Sequence, residues 1–298
     1  TKIDFIKWRH VCYGLSLAVI AVGVWAFAQR GDQRYGVDFS GGLVQQYRLS
    51  QPVTAEQLRS TLSKVGLGGA TIQEFGAPTE WLIRTSDVTE ADIQSTMARA
   101  REALFSDFGG ETPPEMMRVD QVGPAVGKIL REKAWWAIFW SLIGILAYVM
   151  LRFRHFDFGI AGVIALGHDI ILAAGLVCLT HRPIDMITIA ALLTIAGFSI
   201  NDTIVIYDRV RENMRLGRKM TMAEIINLSV NQTLGRTLLT SLTVIFEVLA
   251  LWFFGGEILH DFAFCLLVGF ISGVYSTVYI ASAFVITWRG WFKPAHAR

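Results

Sequence analysis

The chain alternates long apolar runs with shorter polar stretches, and one polar stretch is much longer than the rest. A helix needs about 20 mostly apolar residues to cross the hydrocarbon core of a bilayer. Runs of this kind occur at 11–28, 134–151, 159–180, 186–207, 237–254 and 262–287. The pattern predicts six transmembrane helices, the first separated from a cluster of five by the polar segment 31–133.

The polar segment carries alternating strand and helix signals. A helix is predicted at 54–66, where Thr54 and Gln57 have capping-box spacing, and a second helix follows Thr89. Strands are predicted at 43–50, 70–75, 80–86 and 115–123. The resulting order β-α-β-β-α-β is the ferredoxin-like pattern. The sequence therefore predicts an α-helical membrane protein with six transmembrane helices, plus an exterior α+β ferredoxin-like domain between helices 1 and 2.

Basic residues flank the apolar runs unevenly, and this predicts the topology. Lys and Arg precede the first run, follow the second and fourth, and close the chain, whereas the loops 181–185 and 255–261 together hold only Arg182. The positive-inside rule then places both termini in the cytoplasm and the polar segment outside. Four segments are predicted: an N-terminal segment with transmembrane helix 1 at 1–30, a periplasmic ferredoxin-like domain at 31–133, transmembrane helices 2–6 at 134–288, and a cytoplasmic tail at 289–298.

The first run has a second interpretation, because Ala26-Phe27-Ala28 resembles a signal-peptidase site. The run is longer than the 7–15 residues or so of a usual signal-peptide core, and we therefore expect a retained anchor.

Composition narrows the class of protein. Of 298 residues, 53% are hydrophobic and only 17% are charged, with a mean hydropathy of +0.44, which favours a membrane protein. The net charge of +2 gives no support to nucleic-acid binding. Three scattered cysteines and the lack of any zinc, Walker or dinucleotide motif predict no metal and no cofactor. No catalytic constellation occurs in the polar segment, so we expect no enzyme activity there and a binding or mechanical role instead.

Asn201 and Asp202 lie well inside the apolar run 186–207. An aspartate at the centre of a membrane helix costs about 2.5 to 3.5 kcal/mol even on lenient insertion scales, so such residues usually face a partner helix or a wet cavity and mark an ion path. Asn201 shares a helix face with Ala190, Thr194 and Gly197, and Asp202 is one step around the helix. This pair is the leading candidate for a proton-coupling site.

His168 and Asp169, near the middle of the third run, are a second candidate. Asp169 recurs at steps of four with Ala161, Ala165 and Ala173, so it should face protein. Two interpretations remain open, a proton-handling pair and a static buried pair in which Asp169 fixes the histidine tautomer.

The last two runs hold four further candidates. Glu247 is central in the fifth run and Arg236 lies at its entry; together with a carboxylate such an arginine could form a proton relay, although Arg236 could equally be a positive-inside anchor. Glu247 is more often a hydrogen-bonding helix contact. Gly269 and Gly273, spaced by four, are predicted to be helix-packing positions.

Four sequence stretches resemble the SecF family of bacterial protein-export membrane subunits: GVDFSGG (36–42), ALGHDIIL (165–172), GFSINDTIVIYDRVREN (197–213) and NQTLGRTLLTS (231–241). The resemblance implies a bacterial inner-membrane protein and half of a resistance-nodulation-division type transporter. Its partners would be SecD, the SecYEG translocon with SecA, the exported preprotein and membrane lipid. It implies use of the proton motive force late in translocation.

By motif position, Asp202 matches the family's proton-linked carboxylate and Arg236 its associated basic residue, while Asn201 belongs to the same motif. The segment GVDFSGG is interpreted as a turn that couples the exterior domain to the membrane, with Asp38 or Ser40 bonding nearby backbone amides. The residues expected to take part in this coupling are Gly36, Asp38, Phe39, Ser40, Gly41 and Gly42. The alternatives are a proton-coupled efflux transporter of the same superfamily and a non-catalytic scaffold subunit of a membrane complex.

Overall fold

The computed structural model describes residues 3–85, 88, 90–109, 112–153, 156–216 and 220–292. Its helices and strands divide into two compact units, one formed by Tyr35–Trp135 and the other by Thr1–Arg34 with Trp136–Arg298. The prediction of six spanning helices plus a small α+β region is confirmed. The predicted Thr89 cap lies outside the described residues.

Five apolar spans lie wholly in the membrane unit, and the remaining one, whose helix begins at Pro124, enters it at Trp136. The last span is interrupted by a π-helical segment, Thr277–Ala281, between two α-helices. The helices are α1 (Arg9–Gln29), α5 (Pro124–Phe153), α6 (Phe156–Leu179), α7 (Met186–Arg215), α8 (Met222–Phe254), α9 (Gly256–Ser276) and α10 (Ser282–Phe292). Of the predicted cytoplasmic tail, 289–292 are helical and 293–298 lie outside the described residues.

Three spanning helices extend well beyond their apolar runs. The structure begins α8 at Met222, long before the apolar run starts at 237, and the N-cap Thr221 forms a capping box with Glu224. Helix α5 begins at Pro124 instead of at 134, and α7 continues past 207 to Arg215. A hydropathy window detects only the apolar part of such a helix, which is why the predicted boundaries were too short.

The spans are not equally buried. Helices α6 and α7 and the last span form the centre of the unit, with 61%, 56% and 61% of their most apolar windows buried, against 17% for α1, α5 and α8. Two facing glycines, Gly23 and Gly175, allow α1 to approach α6 so closely that a Cβ on Gly175 would lie 2.6 Å from the Gly23 Cα. The polar groups of α6 and α7 therefore face protein more than lipid.

The other unit contains a four-stranded antiparallel sheet with the order β2-β3-β1-β4. Its elements are a one-turn helix α2 (Val37–Ser40), β1 (Gly42–Arg48), α3 (Ala55–Lys64), β2 (Thr71–Phe75), β3 (Ala77–Thr85), α4 (Ile93–Phe108) and β4 (Glu115–Val122). The predicted capping box on α3 is present, since the Thr54 hydroxyl accepts the Gln57 N–H at 3.3 Å. The core is built from side chains with 0% exposure: Tyr47, Leu58, Leu62, Ile83 and Leu104. This is the ferredoxin-like fold that the pattern predicts.

Candidate functional site

Asp202 is buried on α7, with 4% of its surface exposed. The Ser241 hydroxyl on α8 donates a hydrogen bond to Asp202 Oδ2 at 3.3 Å, which is long for an O–H donor. Among the described residues Asp202 has no other hydrogen bond and no ion pair. It is therefore a buried carboxylate held by one weak contact.

Arg236 lies close enough to Asp202 to interact with its charge, but its guanidinium forms no hydrogen bond or ion pair with Asp202 in the described structure. Its side chain is exposed on the outer face of α8. The structure thus brings these two predicted residues into one neighbourhood without pairing them.

A line of hydroxyls on α8, which the sequence analysis missed, faces the interior of the unit. Ser229, Thr233, Thr237 and Ser241 are all buried and follow one another at steps of four. The Thr237 hydroxyl, one turn before Ser241, is 1% exposed and without a partner in the described part of the chain. An unpaired buried hydroxyl beside a weakly bonded carboxylate leaves room for its hydrogen bonds to rearrange. The four-residue period of Ser and Thr was the available signal.

Asn201 does not join this neighbourhood. Its side chain is exposed on the same stripe of α7 as Ala190, Thr194 and Gly197, as the helical period predicts, whereas Asp202 points inward. Glu247 is also exposed, on α8. Both side chains are polar groups inside apolar spans that find no partner among the described residues of this chain.

Asp169 lies in a very different environment, with 0% exposure and hydrogen-bond donors on three helices. Ser199 of α7 and Ser276 of α9 each donate to Oδ2 at 2.7 Å. Ser272 of α9 donates to Oδ1 at 2.6 Å, and the His168 ring lies with Nδ1 at 3.0 Å from the same oxygen. We call these four donors and Asp169 the Asp169 cluster.

His168 completes the Asp169 cluster from the same helix. Because the three serines already donate to the carboxylate, Nδ1 is assigned as a donor as well. The other ring nitrogen, Nε2, is buried and without a hydrogen-bond partner in the described structure. His168 and Asp169 therefore form the buried hydrogen-bonded pair that both interpretations from the sequence require.

Gly269 and Gly273 lie where α9 crosses α7. A Cβ on Gly269 would overlap the Ile195 side chain, and one on Gly273 would lie 3.2 Å from the Ser199 Cβ. The two glycines thus let α9 lie against α7, and Ser272 and Ser276 of α9 bond to Asp169 there. Their contacts are with this chain's own helix.

The segment GVDFSGG forms one helical turn and then two glycines with positive φ, at 72° for Gly41 and 123° for Gly42. Of the two residues expected to bond nearby backbone amides, Ser40 instead donates to the carbonyl oxygens of Gly36 and Gly41 at 3.0 and 3.1 Å, and the expectation for Asp38 stays a prediction. A helical turn directs its early carbonyls toward the residue four positions on, and the serine hydroxyl meets them there.

The glycine-rich segment packs against the first turn of α5. A Cβ on Gly41 would lie 2.6 Å from the Pro124 Cα, and a Cβ on Gly127 would lie 2.9 Å from the Gly41 nitrogen. Phe39, 3% exposed, stacks edge-on against Tyr35 with ring centroids 6.2 Å apart. This contact fixes the start of a membrane-spanning helix against the sheet-containing unit to which both belong.

Comparisons with known proteins agree on one family. The family model described as protein export membrane protein SecD/SecF, C-terminal, matches residues 103–291. The chain is 38% identical to the protein translocase subunit SecF of Desulfurispirillum indicum, over 99% of this chain and 95% of that protein. It is 39% identical to the subunit SecF of Thermodesulfovibrio yellowstonii, over 96% and 94% of the two chains.

Solved structures point the same way. The chain superposes on the crystal structure of SecDF from Thermus thermophilus, described as a translocon-associated membrane protein, with a TM-score of 0.87 and 35% identity. The superposition covers 97% of this chain but only 39% of the SecDF chain. A SecDF structure in a super-membrane-facing form gives a TM-score of 0.71 at the same identity.

Proposed function

The chain belongs to the SecF family of protein translocase subunits, and on that premise we propose that, with SecD, it uses the proton motive force to promote late preprotein translocation through SecYEG. In this proposal Asp202 takes up and releases the proton. The protein is a multi-pass inner-membrane protein with a role in Sec protein export, and it works with SecD and the translocon.

The observation that carries the proposal is the weak pairing of Asp202. A buried carboxylate is costly as an ion unless it is well hydrogen-bonded, and here one hydroxyl at 3.3 Å is all the described chain provides. A nearby arginine favours the ion, while the apolar surroundings favour the neutral acid. When a proton binds to Asp202, the hydrogen bonding of this carboxyl group to α8 changes. One charge crossing 100 mV corresponds to about 2.3 kcal/mol, so several protons can bias a conformational change.

The partner SecD would supply the missing half of the site. Asn201, Arg236 and Glu247 are exposed on α7 and α8 within the apolar spans, and hydrocarbon cannot satisfy their hydrogen bonds. A polar helix of SecD is the surface that would cover them. The small residues Ala190, Thr194 and Gly197 beside Asn201 permit a close helix approach.

The ferredoxin-like unit would lie in the periplasm, with both termini in the cytoplasm, and would contact the emerging preprotein there. Its glycine-rich segment packs on the start of α5, which continues into the membrane unit. In the proposed cycle a change in the packing of the spanning helices reaches this segment through α5. The backbone is tightly packed at Gly41 and Gly127, so a movement of α5 would be transmitted to the glycine-rich segment.

The test is a pulse-chase of a secreted precursor in cells that contain Asp202→Asn as their only copy. The proposal predicts slow export with wild-type levels of the protein and wild-type association with SecD. Asp208→Asn is the matched control, because Asp208 lies on the same helix but is part-exposed, 3.1 Å from Arg152, and exposed pairs contribute little. Normal export with Asp202→Asn would remove the proton role from this residue and favour the scaffold alternative.

A further inference from the structure

The Asp169 cluster fills the whole hydrogen-bonding capacity of one buried carboxylate. A carboxylate offers about four acceptor sites on its two oxygens. Each oxygen of Asp169 accepts two donors, from Ser199 and Ser276 on Oδ2 and from Ser272 and His168 on Oδ1. A proton on either oxygen would require one donor to turn away; Ser276 has a second acceptor, the Gly273 carbonyl oxygen, at 3.2 Å, which is longer than its 2.7 Å bond to Asp169. The geometry is that of a fixed anion.

The surroundings of Asp169 offer no easy exchange of protons. It is 0% exposed, its partner His168 lies on the same helix, and the Tyr275 ring of α9 packs against that histidine. The Tyr275 ring centroid is 6.1 Å from that of His168. The Tyr275 hydroxyl is engaged with α1, where it donates to the Cys12 carbonyl at 2.8 Å.

The Asp169 cluster holds α7 at Ser199, one helical turn before Asp202. Ser199 precedes Asp202 by three residues on α7, close to one helical turn, and its hydroxyl is tied to Asp169 of α6. One residue after Asp202, the Thr203 hydroxyl lies 3.0 Å from that of Thr277 on the last span. Rotation of α7 about its axis would break both contacts and would also carry Asp202 away from Ser241. A π-helical segment begins at Thr277, the residue that contacts Thr203, and such segments occur often at functional sites.

We propose that Asp169 is a positioning residue: as a permanent anion in its cluster it holds α7 in the rotation that presents Asp202 to Ser241, and it carries no proton itself. This inference rests on the proposed function of Asp202. It resolves the two interpretations left open for the His168 and Asp169 pair in favour of a static one with an indirect effect on coupling.

The experiment uses inside-out membrane vesicles that contain this protein with SecD, SecYEG and SecA, and it measures how much an imposed pH gradient accelerates translocation of a secretory precursor. The acceleration is recorded across a range of lumenal pH for the wild type, Asp169→Asn, Asp202→Asn and the double variant. Ser282→Ala is the matched control. Ser282 is a buried serine on the last span, as Ser272 and Ser276 are, but its hydroxyl donates to the Thr277 carbonyl at 2.8 Å and not to Asp169.

We expect Asp169→Asn to keep a gradient response that is reduced about tenfold, within the range that a misplacement of 1 Å can cost, and to shift the midpoint of the pH profile. The double variant should be no worse than Asp202→Asn alone, and Ser282→Ala should match the wild type. If Asp169→Asn does not accumulate, Ser272→Ala and Ser276→Ala each remove one donor and should shift the midpoint in the same way.

Two results would overturn the proposal. Complete loss of the gradient response in Asp169→Asn, equal to that in Asp202→Asn, would make Asp169 a proton carrier. A wild-type pH profile in Asp169→Asn, or in both serine variants, would remove its positioning role. A full gradient response in Asp202→Asn is a separate outcome that contradicts the proposed function itself.

Discussion

Two aspartates in neighbouring membrane helices differ in almost everything except burial. Asp169 has four donors from three helices at 2.6 to 3.0 Å, and Asp202 has one at 3.3 Å. Both follow an apolar stretch of sequence and both are less than 5% exposed. The comparison teaches that the partner helices, and not the depth of burial, decide whether a membrane carboxylate is an anchor or a group whose pairing can change.

The largest expected effect comes from replacing each aspartate by leucine. Asp169→Leu leaves three serine hydroxyls and a histidine without their acceptor, and loss of one side of a buried charged network typically costs about 3 to 5 kcal/mol. Asp202→Leu removes the acceptor of Ser241 only, and this hydroxyl can turn to a helix carbonyl. The loss of unfolding free energy should therefore stay within about 1 kcal/mol. The measurement is the free energy of unfolding in detergent for both variants.

Both substitutions make the same change of side chain, so the difference between them compares the two environments, chiefly the four donors at Asp169 with the one at Asp202. Equal destabilisation by the two substitutions would contradict the contrast between the sites.

A smaller effect is expected from Gly269→Ala, which perturbs the Asp169 side of the comparison without touching a polar group. The new methyl would overlap Ile195, and such overpacking costs about 1 to 3 kcal/mol. By moving α9 away from α7 it should also weaken the contacts of Ser272 and Ser276. The assay is again unfolding in detergent.

Gly167→Ala is the control for this prediction, because nothing lies within 4 Å of a Cβ at that position of α6. If both alanine variants unfold alike, the close approach of α9 to α7 is not as described.

The smallest effect concerns a third carboxylate, which is in water. Asp107 on α4 accepts hydrogen bonds from Lys64 and from the Thr61 hydroxyl, both at 2.6 Å, and these bonds hold the pKa of Asp107 below its usual range. Since the folded-state pKa is depressed, its stabilising effect is present above the unfolded pKa of about 4 and is lost as the pH falls below it.

Asp107→Asn should therefore reduce the loss of stability of the ferredoxin-like unit between pH 7 and pH 3, and added salt should reduce it as well. The unfolding of that unit can be followed by its amide hydrogen exchange. A variant with an unchanged pH response would show that the Lys64 pair does not matter.

The sequence predicted the fold well where a pattern is local. Alternating strands, the Thr54 cap and the apolar runs each depend on residues within a few positions of one another, and all correspond to elements of the structure. The start of α8 was missed because its first turns are polar and only the Thr221 cap marks them.

The partners of the two aspartates could not be predicted in the same way. Ser272 and Ser276 are more than a hundred residues from Asp169 along the chain, and nothing in the last span distinguishes them from ordinary packing residues. Ser241 was detectable as part of a Ser and Thr period of four on α8. The different hydrogen bonding of Asp169 and Asp202 emerges only when α6, α7, α8 and α9 are packed together.

The most direct test is to observe which aspartate binds the proton. Infrared difference spectra of membranes with this protein and SecD, recorded between high and low pH, report the C=O stretch of a buried carboxylic acid. The account predicts a band that titrates with pH, is lost in Asp202→Asn and persists in Asp169→Asn. A band that persists in Asp202→Asn and is lost in Asp169→Asn would contradict it.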